Sequence, residues 1–144
     1  MKKGFTLIEL LAVIIILSII MILAVPAILS SLNNVRISAF LTEVQHIYKA
    51  AQQQYTVNAM LGTTVTCFSS DQEGYKIQTS GEDLNYSIRI QSDGSITSVY
   101  VYSPGMHYSY LNTNVATLND ITSDGVSQSN SVDTGSMQNC ASWW

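Results

Sequence analysis

The fold is decided at the start of the chain, where residues 1–35 read MKKGFTLIELLAVIIILSIIMILAVPAILSSLNNV. Residues 10–35 of this stretch carry no charged side chain. As an α-helix these 26 residues would extend about 39 Å, which is enough to cross a hydrocarbon core of about 30 Å with some tilt. The stretch therefore predicts a membrane-spanning helix near the N-terminus.

The length and the flanks of the apolar run distinguish it from a cleaved secretory signal. The apolar region of a secretory signal has about 7–15 residues and ends at a small-residue cleavage site, whereas this run is longer and leads into Pro26. Lys2 and Lys3 precede the span and Arg36 follows it. Because cationic residues favour the cytoplasmic side, we expect the rest of the chain to lie outside the cytoplasm.

Glu9 is the one acidic residue in this N-terminal stretch. A charge at the middle of a bilayer costs about 2.5–3.5 kcal/mol on insertion scales, and less near the interface. Two interpretations stay open from the residues alone. Glu9 is either a boundary residue that still contacts head groups, or a carboxylate that a cation from a partner helix neutralises, as buried charges require.

The first ten residues also carry a more specific pattern, in which a short basic leader ends in Gly4, Phe5 follows, and Glu9 is the fifth residue counted from Phe5. Together with Pro26, this pattern resembles the cleavage and methylation motif of type IV pilins and type II pseudopilins, over about the first quarter of the chain. The resemblance implies that a membrane prepilin peptidase cuts between Gly4 and Phe5 and methylates the new amine of Phe5. It also implies that Glu9 pairs with the Phe5 amine of a neighbouring subunit, and that Pro26 is the helix-bending proline of the family.

The sequence divides into four predicted segments: a leader at 1–4, the transmembrane and polymerisation half of a long helix at 5–35, an amphipathic half of that helix at 36–62, and an exported sheet with a variable C-terminal region at 63–144. Apolar residues at steps of three and four define the buried stripe of the amphipathic half. Gly62 is a natural stop for the helix.

Strand patterns follow the helix. Alternation of apolar and polar residues predicts a hairpin that joins 84–91 to 95–102 around the turn dipeptide Asp93-Gly94. A shorter alternation predicts a further strand over 75–79. We therefore expect an α+β fold in which the long N-terminal helix packs on one apolar face of a small antiparallel sheet, as in a pilin-like roll.

Cys67 and Cys140 both follow the predicted span. An oxidising setting outside the cytoplasm favours a disulfide between them, and closing so long a loop would add roughly 4 kcal/mol of stability in the chain-entropy account. Free thiols are the alternative that the sequence leaves open. Trp143 and Trp144 are expected to pack on the sheet or to stay exposed.

The charge balance argues against nucleic-acid binding, because six scattered cations face ten carboxylates at a formal net charge of −4 and form no cluster that could hold phosphates. No glycine-rich phosphate loop, nucleophile elbow or paired catalytic carboxylate is visible, so neither an enzyme activity nor a cofactor is expected. Asp120, Asp124 and Asp133 are a calcium candidate, but their spacing differs from that of an EF-hand, which favours solvated loop acids.

The sequence therefore predicts a structural filament subunit, a prepilin of a type IV pilus. Its expected partners are the membrane, the prepilin peptidase, further copies of itself and the pilus assembly platform proteins. Its expected location is the bacterial inner membrane, as a single-pass protein with the C-terminal domain outside, and later a surface pilus. Two alternatives stay open: a pseudopilin of a type II secretion or competence DNA-uptake system, and a single-pass anchored binding domain that does not polymerise. That last protein would have no use for Gly4, Phe5 and Glu9 in this arrangement.

Overall fold

The computed structural model describes residues 4–77, 83–137 and 140. Leader residues 1–3 and the tryptophans at 143 and 144 lie outside the described residues. The elements in chain order are α1 (Leu7–Met60), β1 (Cys67–Ser69), β2 (Asn85–Ile90), β3 (Ile96–Ser103), β4 (Tyr108–Asn112), two 3-10 turns (Leu118–Asp120 and Ser123–Gly125) and β5 (Val126–Gln128). This confirms the predicted α+β class, with one long helix followed by an antiparallel sheet.

The chain forms two compact units, Met1–Val35 and Arg36–Trp144, which we call the N-terminal unit and the C-terminal unit. None of the described side chains of the N-terminal unit is buried. α1 passes through Pro26 without a break, although a proline cannot donate the helical hydrogen bond to the carbonyl four residues earlier, here that of Ile22. The helix in this unit therefore rests on its own backbone hydrogen bonds.

In the C-terminal unit, the second part of α1 packs against the sheet. Its buried residues recur at steps of three and four and are Phe40, Val44, Ile47, Tyr48 and Ala51. They share one hydrophobic core with sheet residues that include Phe68, Ile88, Val99 and Tyr110. The amphipathic stripe predicted from the sequence is thus confirmed.

The end of α1 is set by a glycine in the left-handed conformation. Gly62 has a φ of 75°, and the Thr63 N–H donates to the Asn58 carbonyl at 2.9 Å. A left-handed residue just after the last turn satisfies carbonyls that the helix leaves open. Gly62 therefore stops the helix where the sequence predicts.

The five strands pair in the order β1-β2-β3-β4-β5, and every pair is antiparallel. The predicted hairpin is β2–β3, in which Ile88 lies opposite Val99 and the register shifts between Arg89 and Ile90. Gly94, with a φ of 86°, makes the turn. The hairpin predicted from Asp93-Gly94 is therefore confirmed.

The strand predicted over 75–79 is wrong in its described part, because residues 75–77 form a turn and an irregular segment; Thr79 lies outside the described residues. The Ile77 N–H donates to the Tyr86 hydroxyl at 2.8 Å, and the Tyr75 carbonyl accepts from the Ser69 N–H at 3.0 Å. The edge next to β2 is occupied by β1, whose three residues are too few for an alternating pattern to be detected.

β3 is buried on both faces, whereas the sequence predicted one covered face. Val99 and Val101 belong to the core shared with α1. Tyr100 and Tyr102 point to the opposite face, since side chains alternate along a strand, and they are buried as well. The C-terminal segment attaches to this opposite face, where the Asp133 N–H donates to the Tyr100 hydroxyl at 2.8 Å.

Candidate functional site

The start of α1 is fixed by three reciprocal hydrogen bonds between Thr6 and Glu9. The backbone N–H and the hydroxyl of Thr6 donate to Glu9 Oε2 at 2.8 and 3.0 Å, and the Glu9 N–H donates to Thr6 Oγ1 at 3.3 Å. This is a capping box, in which the first and fourth residues satisfy each other's backbone donors. This role of Glu9 was not predicted from the sequence, although Thr-Leu-Ile-Glu before an apolar run is the pattern that indicates it.

Gly4 and Phe5 precede the helix and are exposed, Phe5 to 87%. A Cβ built on Gly4 would meet no atom within 4 Å, and Gly4 is not among the glycines with positive φ. The fold of the chain therefore does not require a glycine at position 4. Any requirement for glycine there arises outside the folded chain, from a molecule that approaches the backbone closely.

Large apolar side chains are exposed on all sides of α1 throughout the N-terminal unit. Among the described residues, α1 is the helix that is long and apolar enough to cross a membrane. Its most apolar stretch has a mean hydropathy of 3.1, and no part of that stretch is buried. A helix that is apolar all round requires a membrane or other protein around it. This unit is therefore incomplete in water.

Glu9 has no cationic partner in the part of the chain that the structure describes. The ion pair found there joins Lys76 to Glu73 at 3.4 Å, in the C-terminal unit. Within the described residues, the Glu9 carboxylate accepts its hydrogen bonds from Thr6. The segment thus combines an exposed glycine–phenylalanine bond, an exposed apolar helix and a carboxylate that has no counter-ion in the described part of the chain.

Cys67 and Cys140 form a disulfide with their Cα atoms 5.4 Å apart. Residue 67 begins β1, the edge strand beside β2, and residue 140 follows the C-terminal segment. The bond therefore fastens the end of the chain to the edge of the sheet. The sequence left open whether the two cysteines form a disulfide or remain free thiols, and in the structure they form the disulfide.

The three aspartates of the calcium candidate do not come together. The described residues contain no group of three or more His, Cys, Asp or Glu side chains placed to hold a metal ion. The Asp120 carboxylate accepts the Thr117 N–H at 2.7 Å, which holds its pKa below the ordinary value. The Asp133 carboxylate accepts the Ser136 hydroxyl at 2.6 Å, which likewise lowers its pKa. Each carboxylate organises its own loop.

The geometry defines a class first: a chain whose exposed helix is long and apolar enough to cross a membrane and begins next to an accessible peptide bond. Residues 1–25 match the family model of the prokaryotic N-terminal methylation motif, the signature of type IV pilins and pseudopilins. The motif implies a prepilin peptidase substrate that associates with the membrane. The type IV pilins and pseudopilins that carry this signature are structural proteins. No curated protein and no solved structure matches the chain.

Proposed function

We propose that the chain is the precursor of a type IV pilus subunit. Prepilin peptidase cuts the bond between Gly4 and Phe5 and methylates the amine of Phe5, and the mature chains then assemble through their N-terminal helices. One observation carries this proposal: Glu9, a carboxylate with no counter-ion among the described residues, lies at the start of an exposed apolar helix that carries the methylation motif.

Cleavage creates a positive charge on Phe5 that the precursor does not have there. The Gly4–Phe5 amide is neutral, whereas the α-amino group released on Phe5 has an ordinary pKa of about 7.7–8.0 and is largely protonated at pH 7. A carboxylate packed among apolar helices persists when a cation pairs with it. We therefore propose an ion pair between Glu9 of one subunit and the Phe5 amine of its neighbour. This pair would set the register between helices more than it would add stability.

The apolar side chains of the N-terminal unit exchange lipid for neighbouring helices in this scheme. Because lipid is as apolar as leucine, this exchange gains little from the hydrophobic effect, and packing together with polar pairs decides association. At Pro26 the Ile22 carbonyl lacks its helical donor, so we expect the helix to bend there in the fibre. Residues 5–35 would form the polymerising segment and residues 36–144 the exposed part of the subunit.

The disulfide supports the placement of the C-terminal unit outside the cytoplasm. Disulfides persist in oxidising compartments and are rare in the reducing cytosol, and Cys67 is bonded to Cys140. Together with the cations at Lys2 and Lys3 before the span, this supports an N-terminus in the cytoplasm. The subunit would wait in the inner membrane, reach the assembly platform, and enter a surface fibre.

The decisive experiment is the intact mass of the protein in fibres sheared from the native host. We expect a mass that lacks Met1 to Gly4, carries one added methyl group and has two fewer hydrogens for the disulfide. The control is a host without prepilin peptidase, in which the precursor should keep residues 1–4. An uncut chain that stays in the membrane of the intact host would overturn the proposal. A processed chain absent from the sheared fraction would point instead to a pseudopilin of a secretion or DNA-uptake system.

A further inference from the structure

We infer that Thr6 is a positioning residue for processing. Its capping box with Glu9 makes α1 begin just after the Gly4–Phe5 bond. That bond therefore stays outside the helix, where the peptidase can reach it. This inference rests on the proposed function, since the chain must be a substrate of the peptidase. It assigns Glu9 a first task before cleavage, which differs from its pairing in the fibre.

The hydrogen bonds at the start of α1 block extension of the helix toward the leader. In a helix that continued by one turn, the Glu9 N–H would donate to the Phe5 carbonyl four residues earlier. In the structure Thr6 takes this donor with both its hydroxyl, at 3.3 Å, and its carbonyl, at 3.1 Å. The Thr6 N–H is occupied as well, because it donates to Glu9 Oε2 at 2.8 Å.

A boundary of this kind matters most beside a membrane. Lipid supplies no hydrogen bonds to a free backbone, so a helix entering a bilayer tends to continue until its donors and acceptors are satisfied. Continuation would bond the Gly4 carbonyl to the Ile8 N–H. That carbonyl is the one a protease must attack, and a helical hydrogen bond would hold it within the helix. The capping box satisfies the first donors of α1 locally, so Gly4 and Phe5 stay free of the helix.

Three variants separate the effect of the cap from that of the Glu9 charge and from that of the threonine itself. Thr6→Ala removes the capping hydroxyl, whereas Thr6→Ser keeps it. Glu9→Gln removes the charge but keeps a side-chain acceptor of the kind that completes a capping box. If Thr6 acts through the cap, Thr6→Ala is impaired in processing, while Thr6→Ser and Glu9→Gln are processed like the natural chain.

The test measures the initial rate at which prepilin peptidase, supplied in membranes, cleaves the full-length precursor. We expect Thr6→Ala to be cut roughly threefold to tenfold more slowly than the natural chain, within the range that loss of an N-cap allows. Thr6→Ser and Glu9→Gln should remain within about twofold. A second arm uses chymotrypsin, which cuts after phenylalanine and does not read the motif, and follows release of the fragment ending at Phe5. The same order of rates is expected in this arm.

Equal rates for Thr6→Ala and the natural chain in both arms would overturn the inference. A slow Thr6→Ala with the peptidase but not with chymotrypsin would also overturn it, because the enzyme would then contact the hydroxyl directly. Slow cleavage of Thr6→Ser would show that the enzyme reads the threonine methyl group, with the same consequence. If the peptidase leaves the natural chain uncut, the proposed function fails, and the chymotrypsin arm still reports on the cap.

Discussion

The two units use apolar side chains in opposite ways along one continuous helix. In the N-terminal unit, Ile19 is 56% exposed and no described residue is buried. In the C-terminal unit, Ile47 of the same helix is 1% exposed and lies in a core shared with the sheet. The boundary between the units falls between Val35 and Arg36, where the uncharged run ends. The backbone of the helix is therefore continuous, but only its part in the C-terminal unit is stabilised by a packed core.

Of the two units, the C-terminal one is complete by itself. The C-terminal unit has its own core, a sheet buried on both faces at β3, and a disulfide. The N-terminal unit pairs most of its backbone groups within the helix but leaves its side chains for lipid or for other helices. Substitutions of the same kind should consequently have different effects in the two units.

The largest expected effect comes from separating the units. Residues 36–144, produced without the preceding segment under oxidising conditions, should fold in water without detergent and unfold cooperatively in urea, because their core and disulfide are retained. The full chain should require detergent or lipid to stay in solution. Circular dichroism and size-exclusion chromatography would follow both forms. A fragment without a cooperative transition would mean that the C-terminal unit depends on the N-terminal one.

Glu9→Gln should nearly abolish fibres, to less than about a tenth of the natural yield, because the amide cannot pair ionically with the Phe5 amine. Shearing and quantification of fibres would measure this. Glu43→Gln is the matched control, since Glu43 is an acidic residue of the same helix in the C-terminal unit, and its fibre yield should stay close to natural. Normal yield from Glu9→Gln would remove the pairing role of Glu9.

Replacing both Cys67 and Cys140 by serine should lower the free energy of unfolding of residues 36–144 by roughly 4 kcal/mol, because the unfolded chain regains the freedom of a loop whose ends are 73 residues apart. Urea unfolding measures the difference, and reduction of the natural fragment should reproduce it. Insertion of the full-length double variant into the membrane should not change. An unchanged unfolding midpoint would show that the C-terminal segment holds to the sheet without the bond.

Ile47→Ala and Ile19→Ala make the same chemical change on the same helix. Ile47→Ala should cost roughly 2–5 kcal/mol of unfolding free energy in residues 36–144, since it leaves a cavity in a packed core. Ile19→Ala lies outside this core, so the unfolding of the C-terminal unit in the full chain in detergent should be unaffected. Similar losses from both substitutions would contradict the separation of the two units.

The smallest expected effect is a dependence of stability on acid pH through Asp120. Hydrogen bonds from Thr117 lower the pKa of Asp120 in the folded chain, so its contribution is present above the unfolded pKa of about 3.9 and is lost as the pH falls through the lowered folded value. Asp120→Asn should flatten this part of the profile of urea midpoints against pH. Asp124→Asn is the control, because Asp124 accepts no side-chain hydrogen bond within the described residues. Equal profiles for the two variants would contradict the role of Asp120.

Much of the fold and of the site could be predicted from local patterns. The apolar run predicts the exposed helix, and apolar residues at steps of three and four predict the buried stripe around Val44. The turn dipeptide at Gly94 predicts the hairpin. The family motif depends on residue types at fixed spacing, with Gly4, Phe5 and Glu9 in it. The capping box of Thr6 is equally local, and was missed although its pattern is in the sequence.

The elements that could be predicted are those whose hydrogen bonds and side-chain periods are local: the helix, its stop, the hairpin and the methylation motif. Four features depend on the folded chain: β1 pairs with β2, the Ile77 N–H donates to the Tyr86 hydroxyl, Tyr100 is buried, and Cys67 is bonded to Cys140. Each of these features depends on contacts between residues that are separated in the chain. Several partners were possible for each residue, and the packing of the folded chain selects one. A local period cannot carry that information, because it records which side of an element is apolar and not which element will cover it.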